Sequence, residues 1–185
     1  MSEFTHIPQS AQRRVRWRNG AGWTTEIAAR PGGEFEWRLS VAEVDEDSEF
    51  SRFPGVDRTL LVISGPGMTL HVGDAPPVHL SPRRAHSFSG DLPARCTVTA
   101  PTRDFNCMTR RGAFSHALTL LGDPHIHRPA RTTTAIYALD GRAELADQLL
   151  NSGDCLILEP AAADRPSLPV HGQATLVIVR LNRSP

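Results

Sequence analysis

Lysine is absent. All twenty basic residues of the 185-residue chain are arginine, and twenty acidic residues balance them to a net charge of zero. That absence removes whole classes of chemistry. A Schiff-base or pyridoxal-phosphate enzyme requires a lysine nucleophile, and a Walker-A loop requires its Gly-Lys-Ser/Thr. Zero net charge leaves no overall field for nucleic acid, so the basic clusters Arg13-Arg14-Val15-Arg16-Trp17-Arg18, Arg83-Arg84 and Arg110-Arg111 read as solvated strand edges and turns. No window approaches the roughly eighteen apolar residues of a membrane span. Met1 to His6 lack the charged start and apolar run of a signal peptide. Cys96, Cys107 and Cys155, odd in number and without Cys-x-x-Cys spacing, fit buried, reduced thiols in a cytoplasmic protein.

Catalytic and metal signatures are missing as well. There is no Gly-x-Ser-x-Gly elbow and no His-Glu-x-x-His. His125-Ile126-His127 is the only His-x-His; it lies between Pro124 and Pro129, and no Asp or Glu follows from Arg128 to Ala135. His71, His79, His86, His116 and His171 are scattered singly, so no metal is expected. Gly20-Ala21-Gly22 runs into Trp23-Thr24-Thr25, which reads as strand and not as the helix start that holds a dinucleotide pyrophosphate. No cofactor is expected.

What the chain does have is punctuation. Fifteen prolines and fourteen glycines break it into short segments. Phe35-Glu36-Trp37-Arg38-Leu39-Ser40-Val41 alternates with period two, the pattern of a strand with two different faces. Similar candidates are Trp23 to Ala29, Thr59 to Ser64, Met68 to Val72, Arg95 to Ala100, Phe105 to Arg110, Ser115 to Leu121, Thr132 to Leu139, Cys155 to Leu158 and Ala174 to Leu181. One helical turn is predicted, at Asp47 to Arg52. Many short strands joined by Gly turns indicate an all-β sandwich or barrel. The rhythm of strand, Gly turn, strand and Gly-Asp turn occurs near residues 61–74 and again near 136–158, which suggests two related halves. The segment Asp123 to Pro129 reads as the linker between them.

The polar faces suggest a site. Thr24 and Glu26 share one strand face; Arg38 and Ser40, with Glu36, share another, opposite Phe35, Trp37, Leu39 and Val41. If those faces line a barrel, Glu26 and Arg38 meet in one cavity, where arginine's planar fork matches a carboxylate. A solvated face over an apolar core is the other reading of the same period. Gly20 and Gly22 permit an exposed turn whose amides could meet an anion.

An ordered series of motifs runs from about Val15 to Arg111: Trp17-Arg18-Asn19-Gly20-Ala21-Gly22-Trp23-Thr24-Thr25-Glu26-Ile27, Trp37-Arg38-Leu39-Ser40-Val41-Ala42, Phe50-Ser51-Arg52-Phe53-Pro54-Gly55-Val56-Asp57-Arg58, Phe88-Ser89-Gly90-Asp91, and Asp104-Phe105-Asn106-Cys107-Met108-Thr109-Arg110-Arg111. In this series the chain resembles the HutD/Ves family of histidine-utilisation and stress-induced proteins. The resemblance implies a bicupin, two cupin-like β-barrel halves of RmlC-like jelly-roll type, without the usual metal ligands. The halves are expected at 1–122 and 123–185, with strands exchanged between them. It also implies a cytoplasmic binding or regulatory protein for a small carboxylate such as urocanate or a formylglutamate-like compound.

The ligand-binding residues are then expected to be Asn19, Thr24, Glu26, Arg38, Ser40, Arg58, Phe88 and Asn106. Arg38 and Arg58 would take the carboxylate. Trp17, Phe88 and Phe105 would wall the site. The alternative is a metal-independent isomerase or hydrolase with Glu26 or His86 as base. A protein-binding scaffold is the third reading. No nucleic-acid or membrane partner is expected, and pairing of β-edges into a homodimer is left open.

Overall fold

Alternating strands and closely spaced turns produce an all-β chain in the computed structural model, which describes residues 4–17, 22–121 and 125–185. The first strands are β1 (Phe4–Ile7), β2 (Arg13–Arg16), β3 (Gly22–Arg30), β4 (Trp37–Val44), β5 (Ser48–Phe50) and β6 (Val56–Ser64). Next come β7 (Met68–Val72), β8 (Val78–Leu80), β9 (Ala85–Ser89), β10 (Ala94–Thr97), β11 (Thr102–Arg110) and β12 (Phe114–Leu120). The last are β13 (His125–Arg128), β14 (Thr132–Leu145), β15 (Gln148–Asn151), β16 (Cys155–Leu158), β17 (Arg165–Pro169) and β18 (His171–Arg183). Among the described residues the only helical element is a single 3-10 turn, Gln9–Ala11, and no helix is long and apolar enough to cross a membrane.

The chain divides into two compact units, Arg13–Ala113 and a second that joins Met1–Gln12 to Phe114–Pro185. In the first, a six-stranded antiparallel sheet has the order β2-β3-β4-β11-β6-β9 and a four-stranded sheet the order β5-β10-β7-β8. One apolar cluster joins them: Val44, Leu60 and Val62 from the larger sheet meet Met68, Leu70, Val72, Leu80, Ala94 and Cys96 from the smaller. The second unit holds the sheet β1-β16-β14-β18-β12, with β15 on β14, and the pair β13-β17. Its cluster includes Ile126, Ile136, Leu145, Leu156, Leu176 and Ile178.

Two expectations are corrected. The helical turn at Asp47 to Arg52 is instead strand β5, because Ser48 pairs with Cys96 and Phe50 with Ala94 on β10. Sheet pairing supplies the backbone hydrogen bonds that one isolated helical turn could not. His125–Arg128, expected in a linker, is β13; it pairs with β17 and buries Ile126. The three cysteines are free and buried, and burial pushes the Cys96 and Cys155 thiols up to about 12.

Candidate functional site

Alternation on three neighbouring strands sets the site. Strand β11 sits between β4 and β6, so its residues from Arg103 to Thr109 have a partner on both sides. Met108 stands between Arg38 and Arg58; Asn106 stands between Ser40 and Leu60; Asp104 stands between Ala42 and Val62. Strand β3 extends two of these rows, with Glu26 beside Ser40 and Thr24 beside Ala42. Because side chains alternate across a strand, all these residues share one face. The polar ones form successive rows: two guanidiniums, then the Asn106 amide with the Ser40 hydroxyl and the Glu26 carboxylate, then the Asp104 carboxyl with the Thr24 hydroxyl.

They line a cavity of about 840 Å³. Its wall also includes Val15, Trp17, Phe50, Ser51 and Phe53. The Trp17 indole N–H donates to Thr24 Oγ1 at 2.7 Å, and its ring meets Phe50 edge-on with centroids 6.2 Å apart. Gly22 permits this closeness: a Cβ there would collide with the Glu43 carbonyl oxygen and press on the Trp17 ring.

Arg38 Nε lies 3.2 Å from Glu26 Oε2, an ion pair at the half-open rim. Arg58 lies deeper, at 4% exposure. Phe88, Phe50 and Phe53 surround its guanidinium carbon at 5.0, 5.5 and 5.5 Å, and Nη1 donates to the Ser51 carbonyl at 3.2 Å. Cation–π attraction offsets part of its desolvation. Burial still lowers its pKa to about 10, with Asp104 pulling the other way. Asp104 is fully buried, and burial pushes its carboxyl up to about 7 while Arg58 draws it down. Among the described residues, the buried Arg38 Nε, Arg58 Nε, Asn106 Oδ1 and both Asp104 carboxyl oxygens lack a hydrogen-bond partner.

A clasp fixes the aromatic wall. Asp91, just after β9, accepts from the Gly55 N–H at 2.7 Å, from the Ser89 hydroxyl at 2.8 Å, and from Arg111. Arg111 also bonds Asp57 at 2.6 Å, and Arg52 bonds the Asp91 carbonyl. The loop that presents Ser51 and Phe53 to Arg58 is thereby tied to residues 89–91.

Comparison with known proteins bears on what this site belongs to. The HutD family model matches residues 9–178. An uncharacterised 21.2 kDa protein in the hutC 3′ region of Pseudomonas putida is 32% identical over 169 residues, 86% of this chain and 88% of that protein. The chain belongs to the HutD family. Protein Ves of Cronobacter sakazakii is 35% identical over 137 residues, covering 72% of this chain and 75% of that one. The solved structure of HutD from Pseudomonas fluorescens matches 98% of this chain and 100% of its own, at a TM-score of 0.89 and 27% identity. A bacterial pirin from Escherichia coli, in complex with nickel(II), shares the fold alone: TM-score 0.68, 8% identity, 98% and 100% coverage. The fold is cupin-like.

In this HutD-family chain, Thr24, Glu26, Arg38, Ser40, Arg58 and Asn106 come together on the cavity wall. Phe88 stands behind Arg58, and Asn19 lies outside the described residues. Phe105, expected as a wall, alternates to the opposite face of β11 from Asn106. His86 stacks on Phe88, is not on the cavity wall, and pairs across from Leu60. Asp104, Met108, Phe50 and Phe53 were missed as site residues. The alternation Asp104-Phe105-Asn106-Cys107-Met108 carried that signal for β11, since its even-numbered members face where Asn106 does. The donor set does not suit a metal: no histidine lines the cavity, five arginines do, and no group of three His, Cys, Asp or Glu gathers among the described residues.

Proposed function

We propose that the chain is a cytoplasmic bicupin whose first cupin-like half binds a small carboxylate, of the urocanate or formylglutamate kind, in the cavity between its sheets. One observation carries this reading: Arg38 and Arg58, paired across β11, both turn into one cavity, where Glu26 holds Arg38 Nε and the buried Arg58 Nε has no hydrogen-bond partner among the described residues. A planar anion supplies the missing acceptor, and a partly dry cavity strengthens such charge-assisted bonds. Glu26 would hold Arg38 in place, and Asn106, Ser40 and Thr24 would meet the polar remainder. Asp104 favours a second reading, a metal-independent isomerase or hydrolase, because a carboxyl pushed up to about 7 suits acid–base work at neutral pH.

Calorimetry with urocanate and N-formylglutamate separates the readings. The wild type is expected to bind at least one of them, and Arg38→Ala to weaken it by at least about tenfold. The thermal unfolding of that variant should match the wild type, since Arg38 is part of a partly exposed pair. Unchanged affinity in Arg38→Ala rejects the site. Consumption of the compound, stopped by Asp104→Asn, moves the conclusion to the enzyme.

A further inference from the structure

We infer that the cavity selects a bipolar ligand, a short acid whose far end carries an N–H donor received by Asp104 and Asn106. The inference rests on the carboxylate-binding reading of Arg38 and Arg58 and specifies the other end of the ligand. Register supplies the geometry. Met108, Asn106 and Asp104 are successive same-face residues of β11, so the three rows succeed one another at about 7 Å per step. The Met108 row presents donors only, from Arg38 and Arg58. The Asp104 row presents a fully buried carboxyl whose two oxygens have no hydrogen-bond partner among the described residues, and the Asn106 row between them adds one more unpartnered acceptor, Oδ1.

Arg58 does not satisfy Asp104. The two attract electrostatically, yet no hydrogen bond or close ion pair joins them among the described residues, and Arg58 Nη1 is committed to the Ser51 carbonyl. Both line the cavity. Buried acceptors left without donors are costly, and an ionised carboxyl can only accept. A ligand with a carboxylate at both ends would therefore bring a negative group to Asp104. A ligand with an apolar far end would leave three acceptors unmet. An amide or amine N–H at that end meets them while its carboxylate occupies the cationic row.

The test compares three short acids at about pH 8, above the value near 7 to which burial pushes Asp104: succinamate, succinate and butyrate. Succinamate is expected to bind wild-type protein at least about tenfold more tightly than either of the others, the size of effect that one well-placed charge-assisted bond gives. In Asp104→Asn the side-chain amide offers a donor of its own, so the preference for succinamate over succinate should shrink or reverse. In Arg38→Ala all three acids should weaken together. Equal binding of succinamate and succinate by the wild type overturns the inference and leaves the carboxylate site standing. So does an unchanged preference in Asp104→Asn. Failure of every probe to bind at about 10 mM overturns both. The wild-type ratio decides alone if Asp104→Asn does not fold.

Discussion

Neighbouring residues in a strand face opposite ways, and the pair Asp57-Arg58 divides accordingly. From sequence the two could be a turn ion pair. In the structure Asp57 turns outward to Arg111, and Arg58 turns inward among three phenyl rings. Burying that cation helps make Asp104 tolerable, although burial dominates and raises the Asp104 carboxyl to about 7. Arg58 from β6 and Cys96 from β10 share its surroundings. A carboxyl whose folded value exceeds its unfolded one binds more protons in the folded state, so its contribution is full below about pH 4 and is lost as pH rises to about 7. Urea unfolding of the wild type relative to Asp104→Asn should accordingly show stability falling between those pH values, by up to about 4 kcal/mol. A difference independent of pH would show that Asp104 ionises as readily as in the unfolded chain. None of this was legible from sequence, because desolvation depends on what a distant sheet places over the residue.

Strands β3 and β4 were legible because one face of each is polar and the other apolar, so period two gave both strand and orientation. Short strands such as β5 were not; three residues carry too little pattern, and pairing with β10 overrides local preference. The Asp91 clasp explains why the motifs Phe50 to Arg58, Phe88 to Asp91 and Asp104 to Arg111 belong together although far apart in sequence. Gly55 and Ser89 hold the Asp91 carboxyl below its usual range, so the clasp persists into mild acid. Asp91→Ala should weaken succinamate binding several-fold through the loosened Ser51 and Phe53, without touching the cavity itself. Gly90 is the other support: a Cβ would sit 2.6 Å from the Phe53 carbonyl oxygen and 2.9 Å from that of Val56. Gly90→Ala should cost more than about 1 kcal/mol in urea unfolding, and a neutral result would show that this loop is not held tightly.

For the whole molecule, the all-β class came from turn spacing, and the family from an ordered series of motifs that no single segment specifies. The cavity is a different matter. Glu26 and Arg38 could be placed on one face by counting, but their meeting with Arg58 and Asp104 required the order β3-β4-β11-β6, which joins segments far apart in the chain. Lack of lysine also gives the molecule a convenient probe, since every basic side chain is an arginine with an observable Nε–H. NMR of isotope-labelled arginine side chains, titrated with succinamate, addresses the cavity directly. Of the twenty arginines, the Nε–H signals of Arg38 and Arg58, assigned by their loss in Arg38→Ala and Arg58→Lys, should move most and saturate together. Signals that move only at exposed arginines away from the cavity, such as Arg14 or Arg95, with those two unmoved, would contradict the cavity as the binding site.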